Sequence, residues 1–124
     1  MARILLIDDE EVVRRGMGRT LRTLGHDVVE VANGRDGLRA LQEGGIDLVV
    51  TDINMPDTDG IEVIMAIRQS GVPTPVIAMS GGGKVPKDVL LDSAELLGAV
   101  ACLAKPFELA ELRAILDEVL GDGP

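Results

Sequence analysis

The chain has 124 residues, 46% of them hydrophobic and 27% charged, the balance of a single globular domain that buries roughly two thirds of its unfolded surface. No run approaches the roughly 20 apolar residues of a membrane span, and Ile4-Leu5-Leu6-Ile7 is too short for the core of a secretion signal, so the sequence predicts a cytoplasmic protein. A formal net charge of −9 argues against direct contact with nucleic acid or an anionic membrane, both of which need clustered Lys and Arg.

Short β-branched runs alternate with longer amphipathic segments, the pattern of a parallel sheet covered by helices on both faces. The first strand is expected over Arg3 to Ile7, followed by a helix over Glu10 to Leu24 with Val13, Met17, Leu21 and Leu24 at helical spacing. A second strand, Asp27 to Val31, leads to a shorter helix carrying Leu38 and Leu41 and ended by Gly44-Gly45. A third strand, Ile46 to Thr51, precedes a helix that Asp59 can cap, with Ile61, Ile64, Met65 and Ile67 on its apolar face and Ser70-Gly71 at its end. A fourth strand, Pro75 to Met79, runs into Gly81-Gly82-Gly83, and helical periodicity resumes near Val89, Leu90, Leu96 and Leu97. The fifth strand, Val100 to Ala104, leads to a helix bearing Leu109, Leu112, Leu116, Val119 and Leu120 that stops at Gly121. Residues 1–120 therefore read as one α/β domain and 121–124 as a tail.

In a doubly wound sheet, ligands bind beyond the carboxyl ends of the strands. At those ends stand Asp8, Asp9, Glu10 and Glu11 after the first strand, Asp52 after the third, Ser80 after the fourth and Lys105 after the fifth. Carboxylates gathered where apolar strands finish repel one another, and a hard, oxygen-seeking cation such as Mg²⁺ relieves that repulsion. A carboxylate is also a known covalent phosphoryl acceptor. With Asp52 as nucleophile, Lys105 supplies positive charge and Ser80 a hydroxyl donor. Singly, each residue has an ordinary structural reading as a helix cap, a turn residue or solvated surface. Their order on successive strands is what points to a site.

The stretches Ile4-Leu5-Leu6-Ile7-Asp8-Asp9-Glu10, Thr51-Asp52-Ile53-Asn54-Met55-Pro56-Asp57-Thr58-Asp59-Gly60 and Lys105-Pro106-Phe107 resemble the three signature regions of response-regulator receiver domains of bacterial two-component signalling. The resemblance implies a flavodoxin-like, doubly wound five-stranded parallel sheet of order 2-1-3-4-5 with five helices. It implies Asp52 as phosphoacceptor, Asp9 as a direct Mg²⁺ ligand, Asp8 as a mainly water-mediated one, and the Asn54 backbone carbonyl as a third. Ser80 becomes the hydroxyl switch and Lys105 the partner of the phosphoryl group, its bond to Pro106 cis. The phosphoryl donor implied is a sensor histidine kinase or histidine phosphotransfer protein, and the output runs through a downstream protein partner or an output domain outside these residues. Such a chain is a signalling switch that catalyses its own phosphorylation and dephosphorylation, not an enzyme acting on others.

Two features depart from the family pattern. The sole cysteine, Cys102, stands three residues before the Lys, where receivers commonly carry Tyr or Phe, and the chain has no Tyr or Trp. The stretch Ser80 to Pro86 is glycine-rich, which makes the loop from Gly81 to Pro86 the expected carrier of the switch. Other functions fit less well. Gly82-Gly83-Lys84 lacks the following Ser or Thr and the earlier glycine of a P-loop, and Asp8-Asp9-Glu10-Glu11 would repel a flavin phosphate. An aspartate-nucleophile phosphatase usually has an acid where this chain has Asn54. The remaining alternative is a receiver-like interaction module that docks partners without being phosphorylated.

Overall fold

A computed structural model of the chain describes residues 2–53, 60–80, 98–105 and 107–121. Along these the chain runs β1 (Arg3–Ile7), α1 (Glu11–Thr23), β2 (Asp27–Val31), α2 (Gly34–Gln42), β3 (Leu48–Asp52), α3 (Gly60–Gln69), β4 (Val76–Ser80), β5 (Ala101–Ala104) and α4 (Leu109–Leu120). The strands form one sheet in the order β2-β1-β3-β4-β5, with every neighbouring pair parallel. The helix expected around Val89 to Leu97 lies outside the described residues, so the helices here number four where five are expected.

Ile4, Leu5, Leu6 and Ile7 are each fully buried, because helices cover the strand on both faces and no polar side can be spared. Successive side chains on a strand point to opposite faces and so divide the core in two. Ile4, Leu6, Leu48, Val50, Ile77 and Met79 pack with Met17 and Leu21 of α1 and Leu112 and Leu116 of α4. Leu5, Ile7, Val49 and Ala78 pack with Leu41 of α2 and Val63, Ile64 and Ile67 of α3. Each buried Val, Leu, Ile or Met among these contributes about 1.5–3 kcal/mol by leaving water.

Some expected boundaries and faces differ. β3 begins at Leu48, two residues after the expected Ile46, because the Asp47 carboxylate accepts the Arg3 N–H at 2.8 Å in place of a ladder carbonyl. Val13 and Leu109, expected on apolar helix faces, are 37% and 51% exposed, each lying in the first turn beyond the edge of the sheet. On α3, Met65 is exposed and Val63 is buried, since the inward stripe runs through Val63, Ile64 and Ile67. Asp59, the expected α3 cap, lies outside the described residues.

Candidate functional site

The parallel register brings the expected residues to one edge. Ile7 pairs with Thr51, so Asp8, the next residue, stands level with Asp52, the last residue of β3. Ser80 closes β4 and pairs with Ala104, and the Lys105 N–H donates to the Ser80 carbonyl at 2.7 Å, placing the Lys beside the fourth strand end. Adjacent strands lie only about 4.8 Å apart, so four consecutive strand ends gather their side chains within reach of one long Lys.

Lys105 does reach across. Its Nζ donates to Asp8 Oδ2 at 3.0 Å and to Asp52 Oδ2 at 3.4 Å. Asp8 is 0% and Asp52 3% exposed, and Ser80 is fully buried. Burial alone would lower the Lys105 pKa, but the hydrogen bond to Asp8 and the charges of Asp52 and Asp8 outweigh it and hold the ammonium above its ordinary 10.5. The site therefore keeps a fixed positive charge between two buried carboxylates. Asp8 is itself fixed: its Oδ1 accepts the Glu10 N–H at 3.0 Å, and its carbonyl accepts from the Arg14 guanidinium at 3.0 Å. That Arg14 contact is absent from the sequence reading, which treats α1 only as an amphipathic helix.

The sequence reading also leaves Glu10 out of the metal set. Oxygens of Asp8, Glu10 and Asp52 lie within 4.8 Å of one another, a grouping of hard donors that suits a divalent cation. Asp9 is exposed and is not one of that group. Asn54, Pro106 and the loop from Gly81 to Pro86 lie outside the described residues. Cys102 pairs with Ala78 across β4 and β5 and packs, partly buried, against the face covered by α2 and α3. Among the described residues no helix is long and apolar enough to cross a membrane.

Comparison with known proteins gives the same picture. Residues 4–117 match the family model described as the response regulator receiver domain. The chain is 38% identical over 123 residues to the transcriptional regulatory protein TcrA of Mycobacterium tuberculosis, covering 98% of this chain and 47% of that protein. It is 34% identical over 114 residues to the sensor histidine kinase RcsC of Salmonella typhi, covering 91% of this chain and 12% of that protein. The chain thus spans about half the length of the regulators it matches. Among solved structures, the response regulator TrrA of Thermotoga maritima, in complex with Mg²⁺–BeF, superposes with a TM-score of 0.83 at 28% identity, covering 97% of this chain and 100% of that one. With a parallel sheet of order β2-β1-β3-β4-β5, a Lys bridging two carboxylates at the strand ends, and a family match over nearly its whole length, the chain belongs to the response regulator receiver domains, signalling switches of two-component systems.

Proposed function

We propose that Asp52 accepts a phosphoryl group from a phosphohistidine of a sensor histidine kinase or histidine phosphotransfer protein, in a Mg²⁺-dependent reaction, and that the phosphorylated form binds a different protein partner. The observation that carries this reading is the buried Asp52 carboxylate at the end of the middle strand, held beside the Lys105 ammonium that also grips Asp8. One Asp52 oxygen bonds to phosphorus as the bond from phosphorus to the donor imidazole nitrogen breaks. The electron pair returns to that nitrogen, which then takes up a proton. Lys105 enters the step already charged and faces the growing negative charge without having to move a proton. Ser80, at the neighbouring strand end, donates its hydroxyl hydrogen to a phosphoryl oxygen once the acyl phosphate exists. Later attack of water on phosphorus returns the free carboxylate, so the chain speeds both its own charging and its own discharge.

The ligands proposed for Mg²⁺ are Asp9, Asp52 and the carbonyl of Asn54, with Asp8 acting through water. When bound, the ion supplies positive charge to phosphoryl oxygens that Lys105 alone does not neutralise. The output is read by protein contact, either through an attached domain or a separate partner, because a chain of net charge −9 offers nucleic acid no counter-charge. A kinase donor places the protein in the cytoplasm.

Incubating the protein with acetyl phosphate and Mg²⁺ should add the mass of one phosphoryl group, and Asp52→Asn should add none. Wild type that never gains this mass would be a receiver-like docking module. Asp52→Asn charging at the wild-type rate would move the acceptor elsewhere.

A further inference from the structure

We propose that Glu10 supplies a further carboxylate ligand to the divalent cation of the Asp52 site. The proposal rests on reading that site as a cation site, and it adds a residue that the family resemblance does not assign.

The three carboxylates that meet at the strand ends are not equally available. Asp8 is buried and both of its oxygens already accept hydrogen bonds, Oδ1 from the Glu10 N–H and Oδ2 from Lys105. Glu10 stands at the N-cap of α1, and its carboxylate is not engaged in a capping bond. It also forms no ion pair among the described residues, although Arg14 and Arg15 follow close behind: Arg14 turns to Glu30 and Arg15 to Glu11. Its oxygen lies within 4.8 Å of oxygens of both Asp8 and Asp52. The backbone bond from Glu10 to Asp8 fixes where the side chain departs, which aims it over the site instead of along the helix.

Opposite ligands of a Mg²⁺ ion span about 4.2 Å and adjacent ones about 3 Å, so oxygens that lie within 4.8 Å of one another need to close by at most about 2 Å. A solvent-exposed Glu with three free torsions makes that movement easily, whereas buried Asp8 does not.

Because the chain has no Trp or Tyr, cation binding is best read by calorimetric titration of Mg²⁺ and Mn²⁺ into the whole chain. Wild type is compared with Glu10→Gln, Glu10→Asp, Asp52→Asn and Glu11→Gln, each first shown to melt cooperatively in EDTA. Glu11→Gln controls for loss of one nearby exposed charge. If Glu10 is a ligand, Glu10→Gln weakens binding about tenfold or more, Glu10→Asp, with its charge kept but drawn back, also weakens it several-fold, and Glu11→Gln changes it less than twofold. Glu10→Gln at wild-type affinity, with Asp52→Asn impaired, overturns the role of Glu10 and leaves the cation site standing. Equal losses in Glu10→Gln and Glu11→Gln, with Glu10→Asp normal, also overturn it, since that pattern is a field effect. Wild type that binds neither ion removes the cation site itself.

Discussion

Lys105 is the residue on which the apo site depends. One ammonium, its side chain 16% exposed, serves two carboxylates that are 1% and 4% exposed. Removing it leaves Asp8 and Asp52 buried without their shared cation, and Lys105→Met should cost about 3 kcal/mol in Mg²⁺-free buffer. Added Mg²⁺ should then stabilise Lys105→Met more than wild type, because the ion takes over the missing charge; equal gains in urea midpoint would mean the carboxylates are not coupled through the cation. The raised Lys105 pKa fixes the sign of the pH dependence. A group held above its unfolded value contributes fully below that value and loses its contribution as pH climbs through the folded one. Wild type should therefore lose urea resistance above about pH 10.5, and Lys105→Met should lack that portion of the decline. Asp52→Asn differs in kind. It removes one of two carboxylates competing for the same ammonium and keeps the shorter bond to Asp8, so its midpoint should equal or exceed that of wild type.

At the scale of elements, helices and strands meet closely where the sequence carries no Cβ. Gly37 lies on α2 directly over β1, and a Cβ built there would come within 2.5 Å of Ile7 Cδ1, a fully buried core atom. Gly37→Ala should therefore destabilise by about 1–3 kcal/mol in urea unfolding, the overpacking cost exceeding the gain in helix propensity; a stabilised variant would show that α2 can lift off the sheet. The period of the apolar residues marks the strands and the helices α1, α3 and α4 in the sequence, because burial on a sheet imposes it. The start of α2 is not legible in that way. It is fixed by Asn33, whose side chain accepts the Asp36 N–H at 2.8 Å, and a polar residue in a polar stretch does not announce itself as a cap. Glu10 is a similar case at α1. Beside Asp8 and Asp9 it reads as one more acid, and only its missing cap bond and its approach to Asp52 set it apart. Glu10→Ser should supply the absent cap and raise apo stability by about 0.5–1 kcal/mol, while weakening cation binding.

Across the whole molecule, the candidate site is a product of topology. Lys105 and Asp8 are 97 residues apart in sequence, yet they bond because β1 and β3 lie at the middle of the sheet with β4 and β5 stepping outward. Strand order cannot be read from hydrophobic period, and only the resemblance of the three signature stretches made that closure legible in advance. Side-chain reach, and the approach of Glu10 to Asp8 and Asp52, stayed hidden because hydrophobic period says nothing of where a polar side chain beyond a strand end points. The same topology predicts a response of the entire fold to the cation. Asp8 and Asp52 share one ammonium and the Glu10 carboxylate lies beside them, so the folded apo protein holds uncompensated charge at this edge that the unfolded chain disperses. A cation binding only the folded state stabilises it by mass action: a free concentration ten times the dissociation constant gives about 1.4 kcal/mol, and for a domain of this size that raises Tm by roughly 5 °C. Because a chain of net charge −9 gains from any added salt, the titration must be matched in ionic strength with KCl. Mg²⁺ should raise Tm beyond the KCl control in wild type and much less in Asp52→Asn. Identical shifts with Mg²⁺ and KCl would assign the whole effect to general screening and leave the strand-end carboxylates without a cation to hold.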